Sequence, residues 1–95
     1  MGLFADSGTG RMYVEFFGLP RERAGVPAIE LQANTLGELL AVLAERVPPL
    51  SEFVEANRLH PVLAASLNGD RFIRDPQTPL CENDHVLILS ADAGG

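Results

Sequence analysis

The sequence predicts an α+β roll, one helix laid over one face of a sheet, and three observations carry the prediction. Leu36, Leu39, Leu40, Leu43 and Val47 recur with the 3.6-residue period of one amphipathic helix. Short runs around residues 12–18, 28–32, 63–67 and 85–89 carry the β-branched, aromatic or alternating residues of strands. Asn68-Gly69 is a two-residue turn of the primed type, which matches the twist of a hairpin. The 95 residues make one domain. A chain of that size buries only about 60–65% of its unfolded surface, so a deep catalytic cleft is not expected.

The elements follow in chain order. In "MYVEFFG" Val14 and Phe16 share one face, Tyr13, Glu15 and Phe17 the other. Glu15 prefers water, so Val14 and Phe16 are assigned to the core and Phe17 to partial exposure. "LPRERAG" is read as a loose turn punctuated by Pro20 and Gly25, leading to a second strand at Ala28–Gln32. Thr35 followed by Glu38 forms a capping box at the start of the helix, and Pro48-Pro49 ends it, because proline lacks the amide and clashes with the preceding turn. "LSEFVEANRLHP" is read as an irregular or briefly helical connection over one end of the core, anchored by Leu50, Phe53 and Val54. Leu63, Ala65 and Leu67 alternate into the Asn68-Gly69 hairpin, and His85–Leu89 is the last strand. Residues 1–11 read as a flexible leader, with Met12 a candidate original start, 12–89 as the folded domain and 90–95 as a flexible tail.

Composition narrows the function. Thirteen acids face seven arginines, there is no lysine, and the formal charge is -6. Such a surface repels phosphate backbones, disfavouring nucleic acid and favouring basic protein partners. No apolar stretch approaches the roughly 18 residues of a membrane span, and Gly2 lacks the second signal that myristoyl anchoring requires. A single cysteine, Cys81, agrees with a reducing, cytoplasmic address. Cys81 is expected to be a small buried apolar side chain, with nothing beside it to activate a thiolate. His60 and His85 lack metal-ligand spacing and are expected on the surface. Neither glycine-rich phosphate motif occurs in the folded region, and "GTG" at 8–10 precedes no helix, so no bound cofactor is expected.

What remains is the end, "LILSADAGG". Glycine adds nothing to a fold entropically, but a Gly94-Gly95 arm can enter a channel where any Cβ would clash. A carboxylate is a poor electrophile until its oxygen becomes a leaving group, and a separate ATP-using enzyme could supply that step. The chain is then a substrate rather than a catalyst.

The strand order, the single capped helix, "LNGDRF", "PLCENDHVLIL" and the final "GG" resemble the ubiquitin-like β-grasp sulfur carriers of the ThiS/MoaD family, the small subunit of molybdopterin synthase in particular. The likeness runs from Met12 to Gly95, with Leu80, Asp84 and Val86 at the positions that introduce the family's last strand. It implies a mixed sheet of four to five strands with one main helix on one face. It also implies that the Gly95 carboxylate, on its Gly94 arm, is adenylated by a partner of the ubiquitin-activating type that uses ATP, then converted to a thiocarboxylate with sulfur from a donor protein. Sulfur would then pass to an acceptor held by another enzyme, the large molybdopterin synthase subunit for that branch. The long stretch Pro48–Pro61 favours the molybdopterin branch over the thiamin carrier, while Leu89-Ser90-Ala91-Asp92-Ala93 departs from the aromatic and proline residues usual before the glycines. Carriers for cysteine, tRNA thiolation or secondary metabolites stay open, as do a protein modifier joined through Gly95 and a passive interaction module. With Val86 and Ile88 inward, Leu87 and Leu89 stand with Phe17 on the opposite face, an apolar docking patch beside Asp92. Glu15, Asp84 and Asp92 would form an acidic rim around it.

Overall fold

A computed structural model describes residues 11–94; residues 1–10, where all but the last residue of the expected 1–11 leader falls, and Gly95 lie outside the described residues. Strand β1 (Arg11–Phe17) pairs antiparallel with β2 (Ala28–Gln32) and parallel with β7 (His85–Ser90), and β7 continues antiparallel to β5 (Leu63–Leu67), which carries β6 (Arg71–Ile73). The resulting mixed sheet has five strands in the order β2-β1-β7-β5-β6. The first and last described strands, β1 and β7, lie side by side in its interior. Alternation holds as expected along both: Val14, Phe16, Val86 and Ile88 are fully buried on the inner face.

Helix α2 (Leu36–Arg46) covers that face with Leu36, Leu39, Leu40 and Leu43. Its capping box is shifted by one residue at one arm: the Glu38 amide donates to Thr35 Oγ1 at 3.2 Å, whereas Glu38 Oε1 accepts from the Asn34 amide at 2.8 Å. The other free amides of the first turn go to a distant loop. Leu36 N donates to the Thr78 carbonyl and Gly37 N to the Pro76 carbonyl, each at 2.9 Å. That contact is why position 37 is glycine: a Cβ there would lie 3.1 Å from Pro76 Cβ.

Two local expectations are revised and a third is refined. "LPRERA" is a short helix, α1 (Leu19–Ala24), with Pro20 in its first turn and Gly25 closing it in the left-handed region. Proline at a helix start needs no amide, so the same residues that punctuate a turn also open a helix. The stretch after α2 is a 3-10 segment, Pro48–Phe53, followed by a two-residue-per-strand hairpin, β3 (Val54–Glu55) and β4 (Arg58–Leu59), with Leu50 and Phe53 buried as anchors. Arg23 of α1 pairs with Glu52 and lies 5.2 Å over the Phe53 ring, tying the two segments together. Finally, Cys81 is exposed, not buried. In the loop before β7 it is Leu80 that turns into the core, while the Cys81 amide is held by Asp84 Oδ2 at 2.7 Å, which leaves its side chain outside.

The Asn68-Gly69 turn forms with both residues at positive φ, and Asp70 N closes it onto the Leu67 carbonyl at 2.9 Å. The ladder resumes at Leu67 and Arg71, so Asp70 is one residue more than a two-residue loop would hold. No helix among the described residues is long and apolar enough to cross a membrane.

Candidate functional site

Two features meet at one end of the sheet: the root of the C-terminal tail and an uncovered face. The last strand runs through Ser90, which pairs with Leu63, and the chain then enters a single 3-10 turn, Ala91–Gly94. Ala91 N donates to the Val62 carbonyl at 2.8 Å, and Ser90 Oγ accepts from the Leu19 amide at 3.1 Å. Asp92 is exposed. The tail thus leaves a central strand rather than an edge. Gly95, the residue expected to carry the reactive carboxylate, lies outside the described residues.

The face away from α2 is built in rows by the strand registers. One row runs Phe17, Leu89, Ala64; the next runs Glu15, Leu87, Ser66, Phe72; the third sets Tyr13 beside His85. Phe17 is 55% exposed and Phe72 63%, with Tyr13 also exposed and Leu87 half-buried. Leu89 lies on the same face, yet only 8% of it is exposed, because Phe17 and Ala64 flank it on its row. Of the residues expected to form the patch, Phe17 and Leu87 present surface, while Leu89 serves as the filled floor between strands. Phe72 and Tyr13 are the additions. Phe72 was legible in principle, since alternation with buried Ile73 turns it outward, but nothing local says that β6 joins this sheet next to β5.

The expected acidic rim is largely occupied by other tasks. Glu15 Oε1 is 2.9 Å from His85 Nε2, with the Tyr13 ring edge-on to the imidazole at 5.1 Å. Asp84 Oδ1 accepts from Asn68 Nδ2 at 3.0 Å and its other oxygen from the Cys81 amide at 2.7 Å. Asn68 completes the clasp, as its Oδ1 accepts from the His85 amide at 2.8 Å. Of the three acids, Asp92 alone makes no such side-chain contact among the described residues. Both histidines are exposed, as expected from their spacing.

Beside the tail root, a shallow cleft of about 520 Å³ opens between the end of β1, α1 and the start of β2, lined by Phe17, Gly18, Arg21 and Val26. A second, of about 450 Å³, lies on the β3–β4 hairpin among Phe53, Arg58, Leu59, His60 and Arg74. Neither brings together a nucleophile, a base and an oxyanion donor, which is what an acyl- or phosphoryl-transfer centre would need.

Comparison with known proteins decides the family. The ThiS family profile matches residues 14–95. The chain belongs to the ThiS family. Among solved structures, a chain of the complex of molybdopterin-converting factor subunits 1 and 2 from Helicobacter pylori is 30% identical, covering 84% of this chain and 92% of that one with a TM-score of 0.61. SAMP1 from Haloferax volcanii superposes with a TM-score of 0.76 at 21% identity, covering 90% of this chain and all of that one. A chain of the BexX/CysO complex of Amycolatopsis orientalis gives 0.71 at 21% identity, over 88% and 99% of the two chains. No curated protein matches significantly. The fold is accordingly the ubiquitin-like β-grasp of ThiS/MoaD-type sulfur carriers. Within this ThiS-family chain the three motif positions acquire physical jobs: Leu80 plugs the core, Asp84 ties the loop to Asn68, and Val86 starts the buried side of β7.

Proposed function

We propose that this ThiS-family chain is a sulfur carrier whose Gly95 carboxylate is the reactive group. The observation that carries the reading is the tail itself: it follows directly on β7, an interior strand of the sheet, through the single turn Ala91–Gly94, next to an apolar face that no part of the described chain covers. From Ala91, five residues extended at about 3.3–3.6 Å each reach roughly 17 Å, enough to place the terminus inside an enzyme docked on the domain.

The chemistry runs in three steps. A ubiquitin-activating-type adenylyltransferase lets a carboxylate oxygen of Gly95 attack the α-phosphorus of ATP, expelling pyrophosphate. Sulfide, released as HS− from a donor protein, then attacks the acyl carbon and AMP leaves, giving the thiocarboxylate. Finally that sulfur attacks an activated carbon of the acceptor, and hydrolysis of the resulting acyl link returns the carboxylate. Gly94 and Gly95 suit a narrow channel because they bring no Cβ. Phe17, Leu87, Tyr13 and Phe72 dock the partner by burying apolar surface, with Leu89 supporting them from below.

The acceptor we favour is the precursor of molybdopterin, held by a large synthase subunit. The support is the 30% identity to a chain of the Helicobacter pylori molybdopterin-converting factor complex, together with the long segment Pro48–Pro61. The intact mass of the chain taken from its own cells tests the reading: a form heavier by roughly 16 Da, sulfur in place of oxygen, is expected. Covalent adducts to other proteins would instead make it a modifier. Deleting Gly95 should abolish the heavier form while leaving the melting temperature unchanged, since the arm buries little. A truncated chain that still delivers sulfur would end the proposal.

A further inference from the structure

The residue between strand and tail makes a contact that the carrier chemistry alone does not call for. Helix α1 begins after Gly18, which has no side chain to cap it, so the Leu19 amide would be left open at the helix start. Ser90 Oγ, 71 positions away in sequence, accepts that amide at 3.1 Å in a half-buried setting. Gly18 leaves the room for it: φ there is +75°, and a Cβ would stand 3.0 Å from Ser90 Oγ. On the other side the next residue of the tail, Ala91, donates its amide to the Val62 carbonyl at 2.8 Å. The root of the tail is therefore gripped between α1 and the start of β5.

We propose that Ser90 is a positioning residue that, by capping α1 from the end of β7, sets the direction in which the Gly94-Gly95 arm leaves the domain. The proposal rests on the carrier reading. A terminus five residues beyond a fixed root samples a restricted cone, whereas a loosened root spreads the same arm over a wider volume. Docking through the outer face does not involve Ser90, whose side chain faces α1. Loss of the clasp should thus lower the rate at which docked chain is charged and leave the affinity of docking alone.

The test follows the gain of mass in desalted lysate of the source cells supplied with ATP and cysteine, as a function of added full-length chain. In Ser90→Ala the saturating rate is expected to fall roughly tenfold, while the half-saturating concentration stays within about twofold. Ser90→Thr, which keeps the hydroxyl, should restore the rate. Gly18→Ala, whose Cβ would stand 3.0 Å from Ser90 Oγ and which also strains the backbone at φ +75°, should lower the rate at least as much as Ser90→Ala. In nitrogen-15 relaxation of the uncharged chain, the amides of Ala91 and Asp92 should lose order in Ser90→Ala. A Ser90→Ala chain charged at the wild-type saturating rate overturns the proposal. So does a rise in half-saturating concentration that Ser90→Thr does not reverse, since it would mean damage to the docking face. A wild-type chain that never gains the mass removes the carrier reading, and the proposal falls with it.

Discussion

The two faces of the sheet are made by the same strands, and side chains one residue apart meet opposite fates. On β7, Val86 and Ile88 have no exposed surface, while Leu87 between them is half-open; on β1, Val14 and Phe16 are buried and Tyr13 and Phe17 are not. Apolar character is therefore not what separates inside from outside here. One face is closed by α2 and the other is left without a cover among the described residues, which for Phe17, Leu87, Tyr13 and Phe72 is a reason to look for a partner rather than for a folding role.

The sharpest way to break this contrast is to truncate neighbours on β7. Ile88→Ala should destabilise the domain by about 2–5 kcal/mol in urea or guanidinium titrations, because it empties a site with no route for collapse. Leu87→Ala should lie within about 1 kcal/mol of the wild type. If the two cost the same, the outer face is structural and the docking reading loses its basis. Next in size, Leu87→Asp or Phe17→Asp should raise the concentration needed for half-maximal charging by roughly tenfold or more, while the melting temperature moves little. Gly37→Ala sharpens the comparison from the inner side. The gain of about 1 kcal/mol in helix propensity is outweighed by pushing Pro76 off the first turn of α2, for a net loss of about 1–2 kcal/mol. Thr35→Ala removes only the cap and should cost about 1 kcal/mol. Smallest is the effect of salt. With Glu15 beside His85 and Asp84 closed into its loop, added salt should slow partner association only about two- to threefold.

The inner face was readable because its signal is local. Period-2 alternation in β1 and β7 and the 3.6-residue stripe of α2 need no knowledge of neighbours, and the Thr35 cap marks where the helix starts. Short punctuated stretches were less legible: "LPRERA" carries the same Pro and Gly whether it turns or makes one and a half turns of helix, and Gly25 closing α1 is settled by φ, not by residue type. Cys81 was misassigned for a similar reason. Its apolar character suggested burial, but in an irregular loop the direction of a side chain follows from which backbone groups are already bonded, and Asp84 holds the Cys81 amide.

The sequence by itself determined the class of fold, the core-facing residues of β1, α2 and β7, and a glycine arm following the final strand. Only the tertiary structure decided who stands beside whom. Parallel pairing of β1 with β7 puts Phe17 next to Leu89 and closes that leucine's surface; β6 brings Phe72 onto the same open face; and Ser90 meets the Leu19 amide from 71 positions away in sequence. These pairings join residues far apart in sequence, and they are chosen by the closure of the entire sheet over one core. No pattern within a few residues can report that choice, which is why the Gly-Gly end was legible and the clasp at its root was not.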